Sequence, residues 1–253
     1  NLLREVSLTR KKPQVGSRVA VVGGGNSAID TARTALRLGA EEAVILYRRS
    51  RDEMPADPQE IEDAIEEGVK VETLTLPIEV KRHKKRLKVT CQRMSLGDMD
   101  SSGRRRPLPV EGSEFSEDFD SIIGAIGQYP DIPGRLGVDT DRGQRIVVDE
   151  SDLATSEPGV FAGGDAVSGP SSVVEAIAHG RLAASTIDLY LGGDGDISEK
   201  LAREEDIESL PPLKSESKAR YRPEMRYRSA KTRVKSFDQV EMGFTRQAAI
   251  EEA

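Results

Sequence analysis

A single cysteine, no tryptophan and two well-separated histidines set the first limits on this 253-residue sequence. One thiol, Cys91, excludes an internal disulfide, a Cys-x-x-Cys redox pair and any thiolate metal cage built by this chain alone. His83 and His179 add no metal-ligand cluster, so no metal site is assigned. Apolar runs long enough to span a bilayer are missing, and Asn1 opens no signal-like segment. These absences lead us to expect a cytoplasmic protein with no membrane partner. A net charge of −7 weighs against general nucleic-acid binding. An initiator Met is absent too, and "NLLREVSLTRKKPQVGS" holds no core-forming element. We read residues 1–16 as a hinge or linker and the chain as a piece of a longer one.

What is present is organised. Arg18–Val22 is a short apolar run ending in three glycines. From Asn26 the period becomes helical, with Ile29, Ala32, Ala35, Leu36 and Leu38 at spacings of three and four until Gly39. Ala43–Tyr47 reads as a second buried strand. Asp57-Pro58-Gln59-Glu60 reads as a helix start with Asp57 as N-cap and Glu60 reaching back, and Val69–Leu74 as a third strand. Strand–helix–strand–helix–strand with short joints predicts parallel pairing and right-handed crossovers. Beyond Ile78 the character turns antiparallel, as Leu87, Val89 and Cys91 alternate with polar residues. Two further short strands are predicted at 145–149 and 159–162, and a second capping box at Ser172–Glu175 opens a helix to about Tyr190. Residues 214–235 carry nine Lys or Arg and read as an extended or disordered arm, followed by an amphipathic turn. The fold class predicted is α/β: a Rossmann-like parallel sheet with an antiparallel meander, followed by a second lobe.

Gly23-x-Gly25-x-x-Ala28 follows one strand directly and opens a helix. Gly23 permits the tight turn, Gly25 lets the backbone approach a pyrophosphate, and Ala28 lets helix and strand pack closely. The helix N-terminus, through Asn26 and Ser27, offers free amides and partial positive charge to phosphates. Cofactor identity is read about twenty residues past the third small position, which here is Arg48 within Tyr47-Arg48-Arg49-Ser50-Arg51. NAD enzymes place a carboxylate there. A guanidinium suits a 2′-phosphate, or stacks on adenine, so NADP(H) is favoured over NAD(H), with Arg48, Arg49 and Arg51 as candidate ligands. A solvated arginine run is the alternative reading, strongest for Arg51. No side chain qualifies as a catalytic residue. His83 lies in a basic surface stretch, His179 sits on a helix beside Gly180, and Cys91 reads as a small core residue. Chemistry, if present, belongs to cofactors.

Three stretches, "VAVVGGGNSAIDTARTALRLGAEEAVILYRRSRDEMPA", "AIGQYPD" and "TSEPGVFAGGDAVSGPSSVVEAIAHGRLAA", resemble the small-subunit family of NADPH-dependent glutamate synthase. More broadly they resemble the flavoprotein oxidoreductases with two dinucleotide domains. The resemblance implies an NADP domain (17–127) inserted into an FAD domain, of which 128–193 would be the C-terminal part, with 194–253 a polar arm and terminal segment. It further implies that Gly164 and Asp165 meet the flavin's ribityl–phosphate region. The helix start at Ser172, Val173 and Val174 would face the flavin pyrimidine, and Gly127 and Gln128 would lie where the domains meet. The activity implied is hydride transfer from NADPH to FAD, with electrons leaving through an iron–sulfur domain or a larger catalytic subunit. The first glycine fingerprint of such an FAD domain and the cysteine-rich region are not in this sequence. We therefore expect FAD binding only if the missing half-domain is supplied, and a homo-oligomer that covers the incomplete lobe. The alternatives are an NADP(H)-binding module without turnover, or a subunit docking a partner through its basic arm.

Overall fold

A computed structural model describes residues 2–9, 12–100, 103–198 and 223–252. The chain divides into two compact units, Asn1–Ile126 with Arg220–Ala253, and Gly127–Ala219.

The first unit is built in three layers. Its centre is a four-stranded sheet in the order β3-β2-β1-β8, formed by β1 Arg18–Val22, β2 Glu42–Leu46, β3 Lys70–Glu72 and β8 Ser121–Gly124. All three pairings are parallel. Alternation along the strands separates two cores. Val19, Val21, Ala43 and Ile45 pack with Ala28, Ile29, Ala32, Ala35, Ile61 and Ala64 on helices α2 Asn26–Arg37 and α3 Pro58–Glu66. Ala20, Val44 and Leu46 pack on the other face with Val89, Cys91 and Phe119. That second layer is antiparallel: β4 Thr75–His83, the 14-residue β5 Arg86–Met99, and β6 Arg105–Pro109, with β7 Phe115–Phe119 also on β5. Cys91 is fully buried there, and burial pushes its thiol pKa up to about 11, consistent with its reading as a core residue.

Asp57 caps α3 as read, accepting from the amides of Gln59 (2.8 Å) and Glu60 (3.4 Å). The second half of that capping box does not form. Glu60 pairs with Arg33 on α2, and the Asp57 amide donates instead to Asn26 Oδ1 at 2.9 Å. The nearby guanidinium offers a stronger, charge-assisted partner than a backbone amide.

Two expectations change at the chain's ends. Part of the region read as a linker is helical, as α1 Leu2–Thr9, and Leu2 packs against the first core. Of the basic arm, 214–222 lies outside the described residues, but 223–235 is held against the first unit. Arg233, on the short helix Ala230–Arg233, is 3% exposed and donates to the Asp63 carbonyl and Glu66 carboxylate, both at 3.1 Å. Its Nε lies 2.8 Å from Glu67 Oε1. Arg33 donates to the same carboxylate, and Arg37 Nη1 lies 2.8 Å from its other oxygen. A net-charge reading of the arm misses this, because one arginine meets a buried carboxylate cluster far away in sequence.

The second unit carries the short helix α4 Asp165–Ser168 and the 18-residue α5 Val173–Tyr190. The strands expected at 145–149 and 159–162 appear only as isolated bridges, Thr140↔Ile146, Val148↔Thr155 and Ala154↔Phe161. Side-chain turns break the extended runs: Asp141 accepts from the amides of Gly143 and Arg145, Asp149 from that of Ser151, and Leu153 has φ +61°.

Candidate functional site

The glycine turn sits between the C-terminal end of β1 and the start of α2. Each glycine there answers a different constraint. Gly23 has φ +144°, and a Cβ on it would lie 2.2 Å from the Ala125 carbonyl oxygen, on the chain leaving β8. At Gly24 a Cβ would strike the Tyr47 ring at 2.5 Å. Tyr47 is buried at the end of β2, and its hydroxyl donates to the Glu53 carbonyl at 2.7 Å. The Gly24 carbonyl accepts from the Ala56 amide at 3.2 Å, which folds the 51–56 loop over the turn. Gly25 differs: its φ of −93° suits any residue, and a Cβ would meet nothing nearer than Pro55 Cγ at 3.8 Å. Folding does not demand glycine at Gly25, so the bare backbone is available to a ligand.

Gly25 is also the N-cap of α2, with no side-chain cap. Its carbonyl accepts from Ala28 and Ile29, while the amides of Asn26 and Ser27 have no acceptor among the described residues. Two open N–H groups at the positive end of a helix, beside a surface that carries no Cβ, fit a pyrophosphate. Asn26 supports this through its side chain, which binds the start of α3. Ala28 is fully buried against the sheet, as close packing requires.

The three arginines past β2 separate. Arg48 is exposed and has no ion pair among the described residues. Arg49 is 4% exposed and spent: Nε donates to the Arg105 carbonyl at 2.7 Å, and Nη2 to Asp100 Oδ2 at 2.5 Å. Arg49 stands here as an internal clamp, since removing a buried guanidinium from its carboxylate strands both charges. Arg51 pairs at the surface with Glu62, a contact weak enough for a ligand to displace. The sequence reading missed Gly24, Tyr47 and Glu53. The aromatic ring at the end of β2 and the third consecutive glycine were the available signals.

In the second unit, Gly164 has φ +64°, and its amide donates to His179 Nδ1 at 2.9 Å. His179 is thus a structural acceptor for the backbone. Asp165 is exposed and opens α4. Ser172 caps α5, accepting from the Glu175 amide at 3.1 Å, while Ser171 donates to the Glu175 carboxylate. The Val173 and Val174 amides have no acceptor among the described residues, and both side chains are exposed. Asp165, Ser171, Ser172, Val173, Ala176 and Ile177 line a cavity of about 420 Å³. Gly127, with φ +100°, and Gln128 are exposed. Among the described residues no cluster of metal-ligating side chains occurs, and no helix is long and apolar enough to cross a membrane.

The chain is 45% identical to the NADP(+)-dependent formate dehydrogenase subunit beta of Moorella thermoacetica, over 99% of this chain and 37% of that protein. It is 42% identical to the glutamate synthase [NADPH] small chain of Escherichia coli, over 72% of this chain and 41% of that protein. It thus spans about two fifths of the length of these relatives. Among solved structures, Mycobacterium tuberculosis FprA in complex with NADPH superposes with a TM-score of 0.58 at 18% identity, over 74% of this chain and 55% of that one, a likeness of fold. The family model for pyridine nucleotide-disulphide oxidoreductases matches residues 4–180, which include the glycine turn, the arginine loop and the start of α5. On that match the chain belongs to the pyridine nucleotide-disulphide oxidoreductase family.

Proposed function

We propose that the first unit binds NADP(H) across the Gly23–Ala28 turn, and that the chain is the NADPH-binding portion of a flavin-dependent oxidoreductase passing hydride from NADPH to FAD. One observation carries the reading: the open backbone face of Gly25 and the unpaired amides of α2 lie at the end of β1, with an uncompensated Arg48 at the end of β2. Gly25, Asn26 and Ser27 would hold the pyrophosphate, and Arg48 the 2′-phosphate, with Arg51 exchanging Glu62 for it. In the second unit, the cavity at the start of α5 suits a flavin edge. The Val173 and Val174 amides would donate to it, and the helix end would favour negative charge there. When bound, nicotinamide and flavin supply the hydride exchange; the chain supplies position and electrostatics and needs no side-chain base. The Gly127–Gln128 segment would serve the nicotinamide end.

Relatives named as a beta subunit and a small chain support a role among partner subunits. We infer that electrons leave through an iron–sulfur domain or larger subunit, and that an isolated chain self-associates to cover α5. FAD would be retained only where another polypeptide completes the second unit, and the protein would work in the cytoplasm. A titration tests the nucleotide reading. Wild type should bind NADPH well ahead of NADH, and Arg48→Ala should lose about tenfold or more for NADPH alone. Equal losses for both nucleotides would refute it.

A further inference from the structure

We propose that Arg105, at the start of β6, is a second cation for the 2′-phosphate, carried to the nucleotide-reading loop by the buried Arg49–Asp100 bridge. The inference rests on the NADP(H) reading above and deepens it. Arg105 is remote from Arg48 in sequence and belongs to the hairpin joining β5 to β6. The turn of that hairpin is closed by the Asp100 amide on the Arg104 carbonyl at 2.8 Å and the Gly103 amide on the Asp100 carbonyl at 3.0 Å. Its main chain is then fastened at two points to the loop after β2. The Arg105 amide donates to Glu53 Oε1 at 2.7 Å, and its carbonyl accepts from Arg49 Nε at 2.7 Å. Glu53 is in turn held by Tyr47, whose ring seals the glycine turn. The backbone at Arg105 is therefore fixed relative to the end of β2 by the side chains of Glu53 and Arg49.

The charges explain what that fastening achieves. Arg105 is exposed, and its guanidinium, like that of Arg48, meets no carboxylate among the described residues. Two guanidiniums are tethered to one short loop with neither in an ion pair among the described residues, in a chain whose net charge is −7. Carboxylates are plentiful elsewhere, and Arg18, Arg33 and Arg233 are each met by two or more of them. A phosphate monoester is the ligand class that answers such a pair, since each planar guanidinium can present two parallel N–H groups to it. Arg106 is also exposed, but alternation along β6 places it on the opposite face. It serves as an internal control.

The test is calorimetric binding of NADP⁺ and NAD⁺ to the 253-residue chain and its variants. Arg105→Ala should weaken NADP⁺ by about tenfold and leave NAD⁺ within about twofold, whereas Arg106→Ala should leave both within about twofold. Asp100→Ala frees the latch and should mimic Arg105→Ala, and combining the two should add nothing further. The proposal is overturned if Arg105→Ala keeps wild-type NADP⁺ affinity, or if it weakens both nucleotides alike. Should Asp100→Ala unfold the hairpin, the exposed Arg105→Ala still decides the matter. If wild type does not distinguish NADP⁺ from NAD⁺, or if Arg48→Ala leaves the distinction intact, the underlying site reading fails and takes this inference with it.

Discussion

Replacing Gly25 with alanine should separate binding from folding. At φ −93° and ψ 176° the backbone accepts any residue, and the new methyl would stand 3.8 Å from Pro55 Cγ, an ordinary contact. Two small terms then oppose each other. Restricting the unfolded chain stabilises by about 0.4–1 kcal/mol, and alanine is a poorer N-cap than glycine by about half a kcal/mol. The folded protein should therefore stay within about 0.5 kcal/mol of wild type. Nucleotide affinity should fall by at least about tenfold, because the methyl takes the space through which a pyrophosphate reaches the α2 amides and those charge-assisted bonds are lost. Gly24→Ala is the converse. Its methyl would lie 2.5 Å from two Tyr47 ring atoms, an overpacking cost of about 1–3 kcal/mol, or a midpoint lower by roughly 2–12 °C. Thermal unfolding and NADPH titration on both variants check the pair. A Gly25→Ala protein that binds NADPH as tightly as wild type would show that the open face is not the phosphate cradle.

Two further outcomes follow from charge and exposure. Burial alone would raise the Glu67 pKa, but hydrogen bonds and charge from Arg33 and Arg37 hold it below the usual carboxylate range. Glu67→Gln should destabilise by about 3 kcal/mol at neutral pH, the lower end for a broken buried pair, since Arg33 keeps Glu60 and Arg233 keeps Asp63 and Glu66. Because the folded pKa is depressed, this contribution is full above the unfolded value of about 4.3 and disappears as pH falls through the folded one. Wild type and variant should therefore converge as the pH falls through the folded pKa of Glu67, and a gap that does not narrow on acidification would contradict the assignment. In the second unit, replacing Val173, Val174 and Ile177 with serine should convert a self-associated chain to monomer by light scattering, and a wild-type monomer would refute the self-association reading.

Local patterns carried much of the architecture. The β1–turn–α2 unit, the parallel order of the first strands and the caps at Asp57 and Ser172 all follow from residues within one or two turns of each other. What could not be read was which remote groups meet. Arg49 and Arg48 are adjacent and chemically alike, yet one is clamped by Asp100 and the Arg105 carbonyl while the other faces solvent. Nothing in their spacing distinguishes them, because strand alternation says which side each takes but not what waits there. The same holds for Arg233. It looked like one cation in a solvated run, and its role depends on Glu67 being buried between α2 and α3. Position in a motif thus predicted local structure better than it predicted partners.

The second unit shows the other side of that distinction. Its caps and turns form as local rules ask, with Ser172 on the Glu175 amide and Asp141 on Arg145. Yet α5 buries none of its 18 residues, and Val173, Val174, Ile177, Leu189 and Tyr190 stand more than half exposed. Leu153 is the one buried apolar side chain among the unit's described residues. Helices draw most of their stability from a packed face, and an apolar surface spread around a helix belongs in an interior. The local logic of a cap therefore specifies where α5 begins, but the described residues of the unit supply few apolar contacts to hold it. The first unit, by contrast, packs two cores of its own around the glycine turn.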